Sequence, residues 1–481
     1  MSLDFRPGEI HAILGENGAG KTTLMNIIYG LYHPDEGQVF MEGRPLNLEG
    51  PHAAIAHGIG MVHQHFMLIP VLTVAENIVL GSEPPGFRFD IRRAAAEVKK
   101  ISEAYHLEID PWAKVGDLTV GLQQRVEILK AFYRRARVLI LDEPTAVLTP
   151  SEIEDLFQIM ARLKADGIAI AFISHKLDEV MQVADRITIM RRGRVVRTLL
   201  PTETNPQELA NLMVGREVVL QVKKSPYRPG PVLVDVQNLV VADEHNYPRV
   251  NGVSFQIRRG EILGLAGVDG NGQRELIEAI VGLRPVRSGK VLFAGRDITG
   301  LSPRQVSRAG ISYIPQDRQG DGLVLNFTVA ENLILKDYNG PQIARRGRID
   351  FRRVRERAQR LVGQYGVAPP NPSLLAGNLS GGNQQKVILA REMGLAPEFL
   401  IAAQPTRGLD VGAIEYIHKR LLELRDQGKA ILLFSLELEE ILSLSDEIAV
   451  IYKGQIMDIV PGDKATREGL GLLMLGARKS A

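Results

Sequence analysis

Short, wholly apolar runs alternate with amphipathic stretches along this chain. Val138-Leu139-Ile140-Leu141 and Ile168-Ala169-Ile170-Ala171-Phe172-Ile173 have no polar alternation, as strands covered on both faces should. Between them Ser151 to Lys164 spaces its apolar positions for a helix, with Pro150 just ahead and acidic residues following Ser151 at the start. The pattern predicts an α/β fold built on buried parallel strands.

The pattern also repeats, at about the length of a domain. Ser2-Leu3-Asp4-Phe5-Arg6-Pro7-Gly8-Glu9-Ile10 answers to Ser254-Phe255-Gln256-Ile257-Arg258-Arg259-Gly260-Glu261-Ile262, an offset of 252 (260 minus 8). Thr73-Val74-Ala75-Glu76-Asn77 recurs as Thr328-Val329-Ala330-Glu331-Asn332. By Asp185-Arg186-Ile187 and Asp446-Glu447-Ile448 the offset is 261 (446 minus 185), so the second copy carries small loop insertions. The domains expected are 1–215 and 231–481, with 216–230 as an exposed Pro/Gly/Lys-rich linker. About twenty residues, Val232 to Gly252, precede the second copy's Ser254-Phe255 strand and have no counterpart in the first. Two readings stand: a misplaced start or fragment, or a genuinely shortened domain with weaker base contacts.

Bulk properties narrow the field. With 58 basic and 56 acidic residues the net charge is +2, which gives no overall footprint for nucleic acid or a membrane surface. Zero cysteines exclude disulfides and cysteine-ligated zinc. No apolar run reaches the ~18 residues of a membrane span, so a membrane role has to come through a partner. The Arg-rich stretch from Arg345 to Arg360 is interrupted by Asp350 and Glu356 and reads as a solvated helix face rather than an RNA contact.

The chemistry is concentrated in a few motifs. Gly15-Glu16-Asn17-Gly18-Ala19-Gly20-Lys21-Thr22 fills every position of the phosphate-loop pattern. Its glycines let backbone N–H groups turn toward phosphates, Lys21 reaches the β- and γ-phosphates, and the Thr22 hydroxyl can ligate Mg²⁺. Leu139-Ile140-Leu141-Asp142-Glu143 ends a buried strand, offering Asp142 to the metal and Glu143 to the attacking water. His175 ends the next apolar run and is placed to sense a γ-phosphate. Gln64 is placed to touch both Mg²⁺ and the water; its neighbours His63 and His65 have no third residue spaced to make a metal site with them. The second copy's loop, Gly267-Val268-Asp269-Gly270-Asn271-Gly272-Gln273-Arg274, keeps the glycines and loses the Lys and Thr. Conversely, Leu379-Ser380-Gly381-Gly382-Asn383 in the second copy is a small-residue turn opening a helix, fit to meet a γ-phosphate. The first copy has Leu118-Thr119-Val120-Gly121-Leu122 there.

Together these motifs resemble those of ABC-type ATPases, and the resemblance covers both halves. It implies two P-loop nucleotide-binding domains in tandem, each with a helical signature subdomain, packed head to tail with ATP between one phosphate loop and the other's signature. One site would then be complete: Gly15 to Thr22 with Thr23, Gln64, Asp142, Glu143 and His175 from the first copy, and Ser380, Gly381, Gly382 and Asp410 from the second. The other site would have Gln273, Arg274, Ala403-Gln404 and Leu436 facing Thr119-Val120-Gly121 and Thr149, with its catalytic parts lost. Such complementary decay makes the halves of one chain partners of each other. The layout is similar to the fused ATP-binding subunits of bacterial importers for simple sugars and nucleosides. His63-Gln64-His65-Phe66-Met67-Leu68, Leu118 to Lys130 and Ala146-Val147-Leu148-Thr149 look more like the nucleoside group. The resemblance implies ATP and Mg²⁺, two transmembrane permease subunits, indirectly an extracytoplasmic substrate-binding protein, no nucleic acid, and a place on the cytoplasmic face of the membrane. The permease helices would dock around Phe66 to Asn77 and Gly322 to Asn332. The alternative is a soluble tandem ATPase acting on the ribosome or another non-transport target.

Overall fold

The computed structural model describes residues 1–63, 66–84, 89–145, 148, 150–218, 224–243, 245–345 and 348–477. It forms two compact units, one of Met1–Val218 with Asp410–Gly412 and one of Val219–Leu409 with Ala413–Ala481. Among the described residues no helix is long and apolar enough to cross a membrane.

Each unit is built on a six-stranded sheet of the same order. In the first the strands run Ile59–Val62, Val138–Asp142, Ala169–Ile173, Ile10–Leu14, Arg186–Arg191, Arg194–Leu199. Five are parallel, and the last returns antiparallel. In the second they run Ile311–Ile314, Phe399–Ala403, Ala430–Phe434, Ile262–Ala266, Glu447–Tyr452, Gln455–Pro461, with the same directions. Every residue of Ile10–Leu14, Ala169–Ile173 and their counterparts is buried, as the unbroken apolar runs require. The sequence-read strands and the helix at Pro150–Ala165 stand where the pattern put them.

A second layer distinguishes the units. Residues 232–258 of the second unit form two long antiparallel strands, Val232–Ala242 and Pro248–Arg258, which continue into Ser288–Phe293 and Arg296–Asp297. In the first unit residues 2–6, which align with the end of Pro248–Arg258, form no strand. Eight of the nine inserted positions (261 minus 252) fall in two places. The offset is 252 between the caps Gly20 and Gly272 (272 minus 20) and 255 between Thr73 and Thr328 (328 minus 73), bracketing the turn Arg318–Gly322. It reaches 260 between the caps Asp90 and Asp350 (350 minus 90), and the hairpin Ala344–Arg345 with Arg348–Ile349 lies in that interval.

The stretch read as an exposed linker is seated over part of its length. Lys224 Nζ donates to the Ser445 carbonyl at 2.6 Å, Arg425 donates to the Ser225 carbonyl at 3.1 Å, the Gly230 N–H donates to the Arg259 carbonyl at 2.9 Å, and the Arg259 N–H donates to the Pro231 carbonyl at 3.0 Å. These anchors make 224–230 an edge of the second unit rather than a free tether. The Arg-rich stretch behaves as expected: helix Phe351–Gln364 pairs Arg352 with Glu356 at 2.9 Å on an exposed face.

Below the first sheet a charge cluster ties the leading segment down. Arg186 makes a two-pronged pair with Glu9, 2.8 Å on each side, and binds Asp4 at 2.7 Å. The aligned positions in the second unit are Glu261 and Glu447, so the pair is replaced by two carboxylates. Burial and the Glu447 charge push Glu261 up to about 7. His11, fully buried, joins the Asp4 carbonyl at 2.9 Å and the Thr188 hydroxyl at 2.7 Å. Burial, then the Arg186 charge, push its pKa down to about 4 from an ordinary 6.5, against the opposing pull of the Asp4 carbonyl, Glu9 and Asp4. Because the depressed value belongs to the folded state, His11 favours folding fully above pH 6.5 and loses that contribution as pH falls toward 4, on the order of 3 kcal/mol in all. The thermal midpoint of the wild-type chain is therefore expected to drop more steeply between pH 6.5 and 4 than that of His11→Gln. Parallel curves would remove His11 as the cause.

Candidate active site

The carboxyl ends of the central strands converge on one edge of the first sheet. Strand Ile10–Leu14 feeds the loop Gly15–Gly20, and helix Lys21–Ile28 begins at its end. Gly18 and Gly20 take φ of +81° and +97°, where a side chain is strained, and a Cβ on Gly15 would sit 2.4 Å from the Met190 carbonyl oxygen. A Cβ on Gly18 would meet nothing within 4 Å, so the mouth of the loop is open. Lys21 is buried and folds its Nζ back to the Gly15 carbonyl at 2.6 Å and the Glu16 carbonyl at 3.1 Å. Burial lowers its pKa, opposed by the nearby Glu143 and Asp142 charges. The loop is thus shaped for a phosphate chain, with Asn17, Ala19, Thr22 and Thr23 around it.

Asp142 pairs in register with Ile173, which brings the ends of both strands level. Burial, then the adjacent Glu143, raise the Asp142 pKa, while a hydrogen bond with Thr22 offsets part of the rise. Glu143 is held at φ +49°, its N–H donating to the Ile173 carbonyl at 3.0 Å. Its Oε1 lies 3.1 Å from His175 Nδ1. Burial would raise Glu143, but the His175 hydrogen bond and charge, with Lys21 and Lys176, outweigh it and leave the pKa lowered. A carboxylate held ionised beside a buried lysine and an imidazole is suited to accept a proton from water. Lys21, Thr22, Asp142, Glu143 and His175 therefore come together at this edge of the first sheet. Gln64 lies outside the described residues. Ser380, Gly381 and Gly382 open helix Gly381–Met393, and Asp410 immediately precedes helix Val411–Asp426.

Several supporting residues escaped the sequence reading. Thr145 donates to Glu179 at 2.6 Å in a buried latch that Ser174 joins at 3.3 Å, and the second unit repeats it with Thr406 and Glu440 at 2.8 Å. The repeated Thr-Val-Ala-Glu-Asn motif has a structural explanation. Thr73 and Glu76 form a reciprocal helix cap, and buried Asn77 accepts from the Ile69 N–H at 2.8 Å while donating to the Ile69 and Thr73 carbonyls at 3.0 Å. Thr328, Glu331 and Asn332 do the same. Glu127 accepts from the Met67 N–H at 2.6 Å, and Lys130 donates to the Met67 carbonyl at 3.1 Å. These bonds leave Met67, Ile69 and Val71 exposed, near a cavity of about 240 Å³ lined by Tyr29, Ile55, Met61, Met67, Glu127 and Arg134. The repetition of Asn77 and Thr145 was a signal in the sequence, but only their contacts say what they hold.

The second unit keeps the scaffold and loses the chemistry. Gly270 and Gly272 have φ of +82° and +101°, and Gln273 Nε2 donates to the Val268 carbonyl at 3.0 Å where the first loop has Lys21 on Glu16. Arg274, in the place of Thr22, is paired with Glu278 at 2.7 Å. Gln404 copies Glu143 in backbone, at φ +46° with its N–H on the Phe434 carbonyl, but has an amide where the first has a base. Ala403 and Leu436 replace Asp142 and His175.

The ABC transporter family matches residues 1–146 and 250–407, one stretch in each copy. The chain belongs to the ABC transporter family. As an ABC protein it binds and hydrolyses ATP. It is 49% identical over 99% of its length to the nucleoside import ATP-binding protein NupA of Lactococcus lactis subsp. cremoris, covering 94% of that protein. It is 50% identical over 99% of its length to the guanosine import ATP-binding protein NupO of Bacillus subtilis, again covering 94%. Ribose import ATP-binding protein RbsA 1 of Rubrobacter xylanophilus is 41% identical over 99% of this chain and 95% of its own. Among solved structures, archaeal ribosome recycling factor aABCE1, in complex with ribosomal stalk protein aP1, superposes with a TM-score of 0.64 over 99% of this chain and 89% of its own. At 18% identity that likeness shows a shared fold alone.

Proposed function

We propose that this ABC protein is the energy-coupling ATPase of a nucleoside importer, working through one complete ATP site made from the first unit's phosphate loop and the second unit's signature. The observation that carries the pairing is the complementary decay: Lys21, Thr22, Asp142, Glu143 and His175 are intact only in the first copy, and Ser380-Gly381-Gly382 only in the second. The nucleoside assignment rests on near-50% identity over almost the full chain to NupA and NupO, against 41% for the ribose relative.

In this reading Gly15 to Thr23 cradle the triphosphate, Lys21 turns its ammonium from loop carbonyls to phosphate oxygens, and Ser380, Gly381 and Gly382 meet the γ-phosphate. Glu143 accepts the proton of the attacking water while His175 fixes its carboxylate, and Gln64 orients the same water. Mg²⁺ would be held by the Thr22 hydroxyl and Asp142, with Gln64, and would neutralise developing phosphate charge. The hydrogen-bond contact of Thr22 with Asp142 fits that ion. Asp410 lines the same site from the second copy.

Two transmembrane permease subunits at the cytoplasmic face of the membrane would take up the motion, and an extracytoplasmic binding protein would deliver substrate to them. The exposed Met67, Ile69 and Val71 offer apolar anchors for a permease helix, tied by Asn77, Glu127 and Lys130 to the segment that follows Gln64. Restoring lysine alone in Gln273→Lys is expected to leave the second site inactive, since Ala403, Gln404 and Leu436 remain. ATP turnover measured in the Lys21→Ala background checks this.

The reading as a whole is tested by uptake of labelled nucleosides and of ribose in cells whose only copy of this chain carries Glu143→Gln. Loss of nucleoside uptake alone is expected. Loss of ribose uptake alone would keep the mechanism and replace the substrate, and unchanged uptake of both would favour a non-transport ATPase.

A further inference from the structure

The two signature turns differ in more than their sequence. In the second unit Ser380 caps helix Gly381–Met393 with its backbone only. Its hydroxyl makes no bond to the helix N–H groups and instead accepts from Asn383 Nδ2 at 2.9 Å. A guanidinium stands beside this turn, since a Cβ on Gly381 would lie 2.8 Å from an Arg318 terminal nitrogen. An uncapped helix start with a cation at its side is an anion-receiving arrangement.

In the first unit the same turn is closed by its own side chains. Thr119 accepts from the Leu122 N–H at 3.4 Å. Glu152, from helix Pro150–Ala165, reaches across and accepts from the Gly121 N–H at 3.2 Å. Its side chain lies flat on the glycine: a Cβ at Gly121 would be 2.5 Å from Oε1, 2.8 Å from Cδ and 2.9 Å from Cγ. A cavity of about 170 Å³, lined among others by Thr119, Gly121, Arg125, Glu152 and Asp155, leaves room for Glu152 to swing elsewhere. The carboxylate therefore lies over the turn by hydrogen bonding rather than for lack of space.

We propose that Glu152 is a built-in anion that occupies the first signature turn and excludes a nucleotide γ-phosphate from it. This rests on the pairing of halves proposed above. It assigns the silence of the second site to an active exclusion as well as to lost catalytic groups. A γ-phosphate reaching this turn would meet a like charge and an amide already satisfied, whereas a diphosphate would not extend that far. The second copy has Ala413 at the position aligned with Glu152, which leaves its turn without the carboxylate.

The test uses the full chain with Lys21→Ala, so that the first phosphate loop does not contribute, and compares ATP and ADP binding with and without Glu152→Ala. Glu152→Ala is expected to raise ATP affinity relative to ADP by about tenfold while leaving ADP unchanged, the scale of one charged hydrogen bond gained. A merely structural role would shift both nucleotides alike. No gain for ATP over ADP, whether both bind equally or neither binds, overturns the proposal. A transplant gives an independent arm: Ala413→Glu is expected to cut ATP turnover by about tenfold or more, and the equally bulky Ala413→Gln much less. Equal loss in both would also overturn it. If Lys21→Ala alone leaves turnover intact, the pairing itself fails, and that outcome is separate from either arm.

Discussion

Glu143→Gln is expected to bind ATP but to turn it over about 10²–10⁴-fold more slowly than the wild type, the range for removal of a positioned base. The substitution preserves size and the strained backbone at φ +49°, and an amide oxygen can still face His175 at the 3.1 Å position. What it removes is the negative charge that the His175 hydrogen bond and the Lys21 and Lys176 charges hold ionised against burial. The second unit already carries this change: Gln404 sits at φ +46° on an equivalent carbonyl, with its amide nitrogen buried and unpartnered. Phosphate release and nucleotide retention measured on the same sample separate the outcomes. Normal turnover would remove Glu143 as the base, and loss of ATP binding would make its role structural.

The second large effect is an asymmetry between the signature turns. Ser380→Ala is expected to lower turnover by roughly 10²-fold, because the proposed site would lose a hydroxyl that meets the developing phosphate charge. Thr119→Ala should leave turnover within about twofold, and instead cost stability of about 0.5–2 kcal/mol, since Thr119 serves as an ordinary helix cap on Leu122. Steady-state ATPase rates and melting curves on both variants check the pair. Equal kinetic losses would mean that both composite sites turn over, contrary to the decay seen in Gln273, Ala403 and Gln404.

Much of this protein is legible from its residues in order. The apolar runs at 138–141 and 168–173 predicted buried parallel strands because a strand covered on both faces has no polar side to alternate with. The complete phosphate loop, the Asp142-Glu143 pair and His175 could be assigned because their chemistry depends on residue type at the ends of those strands, and strand order then brings the ends together. The linker at 216–230 was legible only as composition; Pro, Gly and Lys say nothing of whether Ser225 meets Arg425.

The sequence by itself determined the α/β class, the repeat and the family, since each of these is written as a local pattern. The tertiary structure alone decided the rest. It shows that Glu9 is neutralised by Arg186 while Glu261 faces Glu447, that Asn77 latches the segment from Ile69, and that Glu152 rather than solvent caps Gly121. Glu152 and Gly121 are 31 positions apart on different helices, and an isolated glutamate in an acidic first turn reads as a solvated charge. Its position over the signature turn is set by how those two helices pack, and no local pattern encodes that.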